Sequence, residues 1–289
     1  MNKLLELLFI SSFKGIGKKT IHKKYIDAIW RSDDLSDLIE TYLPMIKAFS
    51  NTDIDQAKAT AQKLVEELDG MQGLSAVTYF DKLYPEEVKD LGESAPLILY
   101  VEGDASILGG KNIAVVGTRK PSVHTAAVER NLVGKIIDLS GSTIVSGLAF
   151  GSDYIAHKTT VDKEGKTIAV LPSGVKNVTP SQHRELAEQI VSGGGCLVSE
   201  YKLHAPATRG TFVERDSLIA ALSETTVVAE CGVKSGTMHT VDAAVKLKRK
   251  IACYIPEDLS KGSYEGNLYM IHNLGAIPLK KTEDLKLII

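Results

Sequence analysis

The sequence predicts an α/β chain: a doubly wound, mostly parallel sheet preceded by a small all-helical domain. Three observations predict it. Short apolar runs at 98–101, 113–116, 143–145, 167–171, 196–199, 226–229 and 251–255 alternate with mostly helical intervals, which is the rhythm of a parallel sheet covered by helices. Two of these runs, Ile113-Ala114-Val115-Val116 and Thr143-Ile144-Val145-Ser146, end at Gly117 and Gly147 and pass into polar turns, as buried parallel strands do when they deliver loops to a binding crevice. Before residue 72 only helical spacing recurs, through Leu4, Leu7 and Leu8, then Ile21, Tyr25 and Ile29, then Ala57, Leu64 and Leu68, with Pro44 breaking the run.

The domains expected are therefore 1–72, helical, and 73–289, the sheet, with Asp69-Gly70-Met71-Gln72-Gly73 as the boundary. A chain of 289 residues with 44% hydrophobic and 24% charged content buries a substantial core and has room for both. The 34 basic and 36 acidic residues leave a net charge of −2, so no global field draws the protein onto nucleic acid or membrane, and any polyanion site must be local. Cys196, Cys231 and Cys253 are odd in number, lie at or beside strands, and have neither metal-ligand spacing nor a paired framework. A reducing cytoplasm is expected, with no metal and no cofactor. Glu6 interrupts the apolar opening at residues 4–10, no cleavage site follows, and no stretch has membrane-spanning length.

In the helical part, Phe13-Lys14-Gly15-Ile16-Gly17-Lys18-Lys19-Thr20 is similar to the hairpin of helix-hairpin-helix or SAM-type modules. Its glycines admit a phosphate to backbone N–H groups. A plain helix–helix turn with solvated lysines fits the same residues.

Three loops at strand ends carry the functional signal. In Gly117-Thr118-Arg119-Lys120 two cations follow a glycine, and a helix N-terminus is expected after Pro121-Ser122. Gly147-Leu148-Ala149-Phe150-Gly151 precedes Asp153 and His157, four apart on one helix face. With no nucleophile or metal-ligand set beside them, this pair reads as a helix-start carboxylate and a hydrogen-bonded histidine in preference to a catalytic dyad. The third loop, Lys234-Ser235-Gly236-Thr237, opens another helix. Together the loops suit an anion or phosphate crevice, while strand-end glycines also serve simply to turn the chain. Phe150 and Phe212 adjoin these loops and are candidates for base stacking or for sheet–helix packing.

The ordered series Gly117-Thr118-Arg119, Ser146-Gly147-Leu148-Ala149-x-Gly151-x-Asp153-x-x-Ala156-His157, residues 167–171 with Gly174, Ser199-Glu200, Phe212-x-x-Arg215, Ser235-Gly236-Thr237-x-x-Thr240 and Gly275-Ala276 resembles the DNA-processing protein A family, also called DprA or Smf. Tyr84-Pro85 and residues 96–103 fit its lead-in, so the likeness covers roughly residues 80 to 276. The resemblance implies an extended Rossmann-like fold and a non-enzymatic, dimeric protein that binds single-stranded DNA without base specificity and helps load RecA recombinase during natural transformation. It implies phosphate contacts at Arg119, on the arginine of Gly-Thr-Arg, and at Arg215, on the first arginine of Arg-Asn-Arg. Lys120, Lys234 and the backbone at Gly117, Gly147, Ser235, Gly236 and Thr237 join them on the loop argument.

The chain departs from the family where Arg215-Asp216-Ser217 replaces Arg-Asn-Arg, which exchanges a cation for an anion and predicts reduced or re-routed DNA affinity. No winged helix is expected after Gly275-Ala276. A rival on the same sheet is a nucleotide sensor without catalysis. The phosphoribohydrolases of similar fold need a glutamate where Thr240 stands here.

Overall fold

The computed structural model describes residues 3–46 and 51–289. The chain divides into two compact units, Met1–Tyr100 and Val101–Ile289. Their division falls within a strand, β2 (Ile98–Gly103), and so lies later than the change of sequence pattern at residue 72.

The first unit contains helices Leu4–Ser11, Lys18–Lys24, Ile26–Arg31 and Asn51–Asp69 and the strand β1, Leu74–Thr78. Leu7, Ile10, Ile21, Tyr25 and Ile29 are buried in its core, so the helical spacing of the sequence is the spacing of the packed face. Pro44 does not break a helix: it sits inside a continuous helical stretch over 35–46, directly after a π-helical turn at Leu38–Tyr42. The hydrogen bond that proline cannot donate is least costly at such a change of helical pitch. At the hairpin, Gly15 has φ +82° and Phe13 is buried against Phe9, while Lys14 and Lys19 are exposed. Lys23 pairs with Glu93 at 3.0 Å.

The strands follow the order β1-β2-β6-β5-β4-β3-β7-β8-β9, where β2 is Ile98–Gly103, β3 Asn112–Val116, β4 Thr143–Ser146, β5 Thr167–Val170, β6 Cys196–Ser199, β7 Thr225–Val228, β8 Lys250–Tyr254 and β9 Ile277–Leu279. From β6 to β9 every pairing is parallel. Two strands escape the apolar-run signal. β1 is diluted by Ser75 and Ala76, and β9 has three residues with Pro278 in the middle, which only an edge position tolerates. Ile113, Val115, Ile144, Val227 and Ala252 of the sheet pack with Val133 and Ile136 of the Val123–Ser140 helix in one core. All three cysteines are free and buried, and burial pushes the Cys253 thiol up to about 12.

The pairing order positions the site. β3 pairs with β4 on one side and with β7 on the other, so the winding reverses there. The loops leaving β3, β4 and β7 diverge at that reversal and leave a crevice at the carboxyl ends of the strands. No described helix is long and apolar enough to cross a membrane.

Candidate nucleic-acid interface

The loop after β3 is clamped on both sides. Thr118 donates its N–H to Glu230 O at 2.8 Å, and its carbonyl accepts from Ser152 N–H at 3.1 Å. A Cβ at Gly117 would come within 2.9 Å of Ser152 Cβ and 3.2 Å of Glu230 O, so only glycine fits there. Arg119 is exposed and lies over the Phe212 ring, 5.7 Å from its centroid. Lys120 is exposed as well. The helix N-terminus that follows is satisfied from within. Ser122 Oγ accepts from Thr125 N–H at 3.1 Å, and Ser122 N–H donates to the Glu230 carboxylate at 3.0 Å. Glu230 also accepts Ser263 N–H at 3.0 Å. Burial alone would push this carboxyl up, but the hydrogen bonds from Thr125, Ser263 and Ser122 outweigh it and hold the group below its usual value. An internal carboxylate thus takes the place that the sequence offers to an external anion.

The loop after β4 is organised by Asp153, His157 and Arg215. Asp153 Oδ2 accepts the N–H groups of Gly147 at 3.2 Å and Ala149 at 3.3 Å. His157 Nε2 accepts Leu148 N–H at 3.3 Å, and its Nδ1 lies 2.8 Å from Thr167 Oγ1. Burial drives the imidazole down to about 3, so it is neutral and holds a loop instead of moving protons. Arg215 is only 4% exposed. Its Nη1 donates to Gly147 O and, at 3.2 Å, to Val170 O. The same nitrogen lies 3.8 Å from Asp153 Oδ2, and Nε lies 3.1 Å from Asp216 Oδ1. The guanidinium therefore fastens the ends of β4 and β5 together. A Cβ at Gly147 would run into that guanidinium and sit 2.8 Å from Asp153 Oδ2, which is why the residue is glycine.

The third wall comes from the loop after β7 and from the Arg209–Ala221 helix. Thr237 Oγ1 donates to Gly117 O at 2.9 Å, tying the β7 loop to the β3 loop. Thr208 and Thr211 cap the Arg209–Ala221 helix reciprocally. Between these walls is an open cleft of about 770 Å³. Arg119, Arg209, Phe212, Asp216, Thr237 and His239 are the side chains that give it its chemistry.

The cleft brings together Gly117, Arg119, Phe212, Arg215, Ser235, Gly236 and Thr237. Lys120, Gly147, Phe150 and Lys234 are not among its lining residues: the two lysines are exposed beside it, Gly147 lies beneath it on Arg215, and Phe150 packs edge-on against His183 at 4.7 Å. Arg209 and His239, which the sequence did not single out, line it. Arg209 stands three residues before Phe212, a helical spacing that puts it on the cleft face. Asp216 also lines this cleft. Burial pushes its carboxyl up to about 6, against the pull of Arg215, with Asp153 adding to the rise and His239 and Arg119 opposing it.

This arrangement can hold an anionic chain with a planar group against Phe212. Residues 75–287 match the family model described as DNA recombination-mediator protein A. The Protein Smf of Escherichia coli strain K12 is 34% identical over 190 residues, covering 66% of this chain and 50% of that protein. A Protein Smf from Synechocystis is 34% identical over 69% of the chain and 54% of its own length, so the chain spans about half the length of these two relatives. The DNA processing protein DprA of Bacillus subtilis is 30% identical over 215 residues, 74% of this chain and 71% of that protein. The crystal structure of DprA from Streptococcus pneumoniae superposes with a TM-score of 0.80 at 23% identity, covering 99% of this chain and 98% of that one, which shows the shared fold. DprA from Helicobacter pylori, described for its single-stranded DNA binding mode, aligns at a TM-score of 0.65 and 24% identity over 75% of this chain and 94% of that one. With the family model covering residues 75–287, the chain belongs to the DNA recombination-mediator protein A family, whose curated relatives carry the names Smf and DprA.

Proposed function

We propose that this protein binds single-stranded DNA without base specificity, as a dimer and without catalysis, shielding the strand and helping to place a RecA-type recombinase on it. The observation that carries the reading is the pair of arginines, Arg119 and Arg209, at a cleft whose aromatic wall is Phe212. Single-strand binding needs cations for the backbone and an aromatic face for bases, and every base offers a π-face. The neutral, tied His157 and the engaged Asp153 support a binding role over proton transfer. The recombinase and the dimer rest on the family resemblance, and the placement in a reducing cytoplasm on the unpaired cysteines.

The test is fluorescence anisotropy of a labelled oligothymidine of about 30 nucleotides at several salt concentrations, with duplex and mononucleotide competitors. Tight binding that weakens steeply with salt and resists both competitors is expected. Displacement by a mononucleotide would replace this reading with a nucleotide sensor using the Gly117 and Gly236 loops.

Asp216 gives the binding a pH dependence with a definite sign. Its carboxyl, at about 6, is an anion near Arg119 above that pH and neutral below it. Affinity for DNA should therefore fall as pH rises through about 6, because the added negative charge opposes the phosphates. Asp216→Asn should bind about threefold to tenfold more tightly at pH 7.5, roughly 1 kcal/mol, and equal the wild type near pH 5. Parallel pH profiles for the two proteins would remove Asp216 from the strand's path.

A further inference from the structure

Outside the cleft the surface carries an aromatic feature that the site described above does not use. Phe150 is 45% exposed and Tyr154 37% exposed. Both rings rest on one buried imidazole, His183, at centroid distances of 4.7 and 4.8 Å. The His183 Nδ1–H donates to Leu148 O at 2.7 Å, so the support is locked to the same loop that bears Phe150. The platform thus has a rigid base and a water-facing aromatic surface, a combination that costs hydration unless something covers it.

Its position relative to the cleft is fixed by backbone contacts. Ala149, directly before Phe150, lines the cleft. Gly151, directly after it, has φ +78° and packs so closely on the main chain of Thr118 and Arg119 that a Cβ would lie 2.6 Å from Arg119 O. Phe150 is therefore the residue between two that belong to the cleft's edge. Arg184, the residue after His183, is exposed. An anionic chain leaving the cleft past Arg119 meets two aromatic faces.

We propose that Phe150 and Tyr154 form a second base-stacking station, taking unpaired bases of the strand as it leaves the Arg119–Phe212 cleft. The proposal rests on the single-strand reading of that cleft. It gives the binding site a length: a strand no longer than the cleft binds there alone, and only a longer one reaches the platform. His183 is a positioning residue that holds the two rings and makes no contact with the strand.

Two measurements test it. In wild-type protein, irradiation of an oligothymidine of about 20 nucleotides bearing 5-iodouracil at successive positions should crosslink Phe150 or Tyr154 from positions outside the cleft segment. The double variant Phe150→Leu/Tyr154→Leu keeps the apolar volume and removes the π-faces. It should lose about tenfold in affinity for the long strand and far less for a strand of about five nucleotides, with an unchanged melting temperature. Phe150→Trp/Tyr154→Trp should restore long-strand binding. Crosslinks confined to Phe212, or equal losses for both lengths, would overturn the station. So would wild-type affinity in the leucine variant, the result expected if the platform docks a protein instead. Failure of the cleft reading looks different: wild-type protein would then bind neither length, and both proposals would fall together.

Discussion

Replacing Arg215 with alanine is expected to lower the stability of the protein by about 3–5 kcal/mol, the cost of leaving a buried charge without its partner. The side chain bridges Gly147 O and Val170 O and lies against Asp153 and Asp216. Its loss strands two carbonyl oxygens and removes the attraction that opposes the desolvation of Asp153, whose carboxyl burial already holds above its usual value. The sign with pH follows from linkage. A carboxyl whose folded value is raised contributes stability below its unfolded value, near 4, and loses it as pH rises through the folded one. Without Arg215 the folded value of Asp153 climbs further, so the penalty should be greatest at neutral pH and partly relieved toward pH 5. Urea titrations at pH 5 and pH 7.5 measure the difference, and Arg215→Ala/Asp153→Asn should recover part of the neutral-pH loss. Arg215→Lys should be intermediate, because one ammonium cannot reach both carbonyls and both carboxylates as a planar guanidinium does. Equal midpoints for wild type and Arg215→Ala would show that the guanidinium does not hold the strand ends together.

Arg215 also marks where sequence reading stops. An apolar run that ends in glycine is a local pattern, so β3, β4 and the loops after them are legible from Ile113–Gly117 and 143–147 alone. The direction in which an arginine points is decided by the low-dielectric surroundings that the fold builds around it, here the strand-end carbonyls of Gly147 and Val170 and the Asp153 carboxylate, all more than forty residues away in sequence, together with the adjacent Asp216. The Phe212-x-x-Arg215 spacing is legible, but not that the phenylalanine faces the cleft while the arginine is drawn beneath it. The capacity of the Ser122 helix start was likewise visible, but not its occupation by Glu230, more than a hundred residues away. Arg209 and His239 gave no motif signal. They enter the site because the Arg209–Ala221 and Thr237–Lys246 helices pack against each other at the winding reversal.

Arg119→Ala is expected to weaken single-strand DNA binding by about 1–3 kcal/mol, the range for a charge-assisted contact, and to leave thermal stability nearly unchanged. The two effects separate because of where the side chain lies. Arg119 is exposed, and its one described ring contact is the Phe212 face at 5.7 Å. Arg215, also within 6.0 Å of that ring, is bound into the protein. An exposed arginine stacked on an aromatic wall offers its N–H donors to a phosphate beside the ring. Removing one phosphate contact should also reduce the slope of log affinity against log salt by about 0.7, the single-strand value for one released counterion. Arg119→Lys should keep most of that slope while losing part of the affinity, because an ammonium retains the charge without the planar stacking. The pair of variants thus distinguishes charge from stacking geometry. If Arg119→Ala left both affinity and salt slope at wild-type values in a protein of unchanged stability, the strand would have to pass along the Arg209 side of the cleft, and the path past Gly151 to Phe150 would lose its starting point.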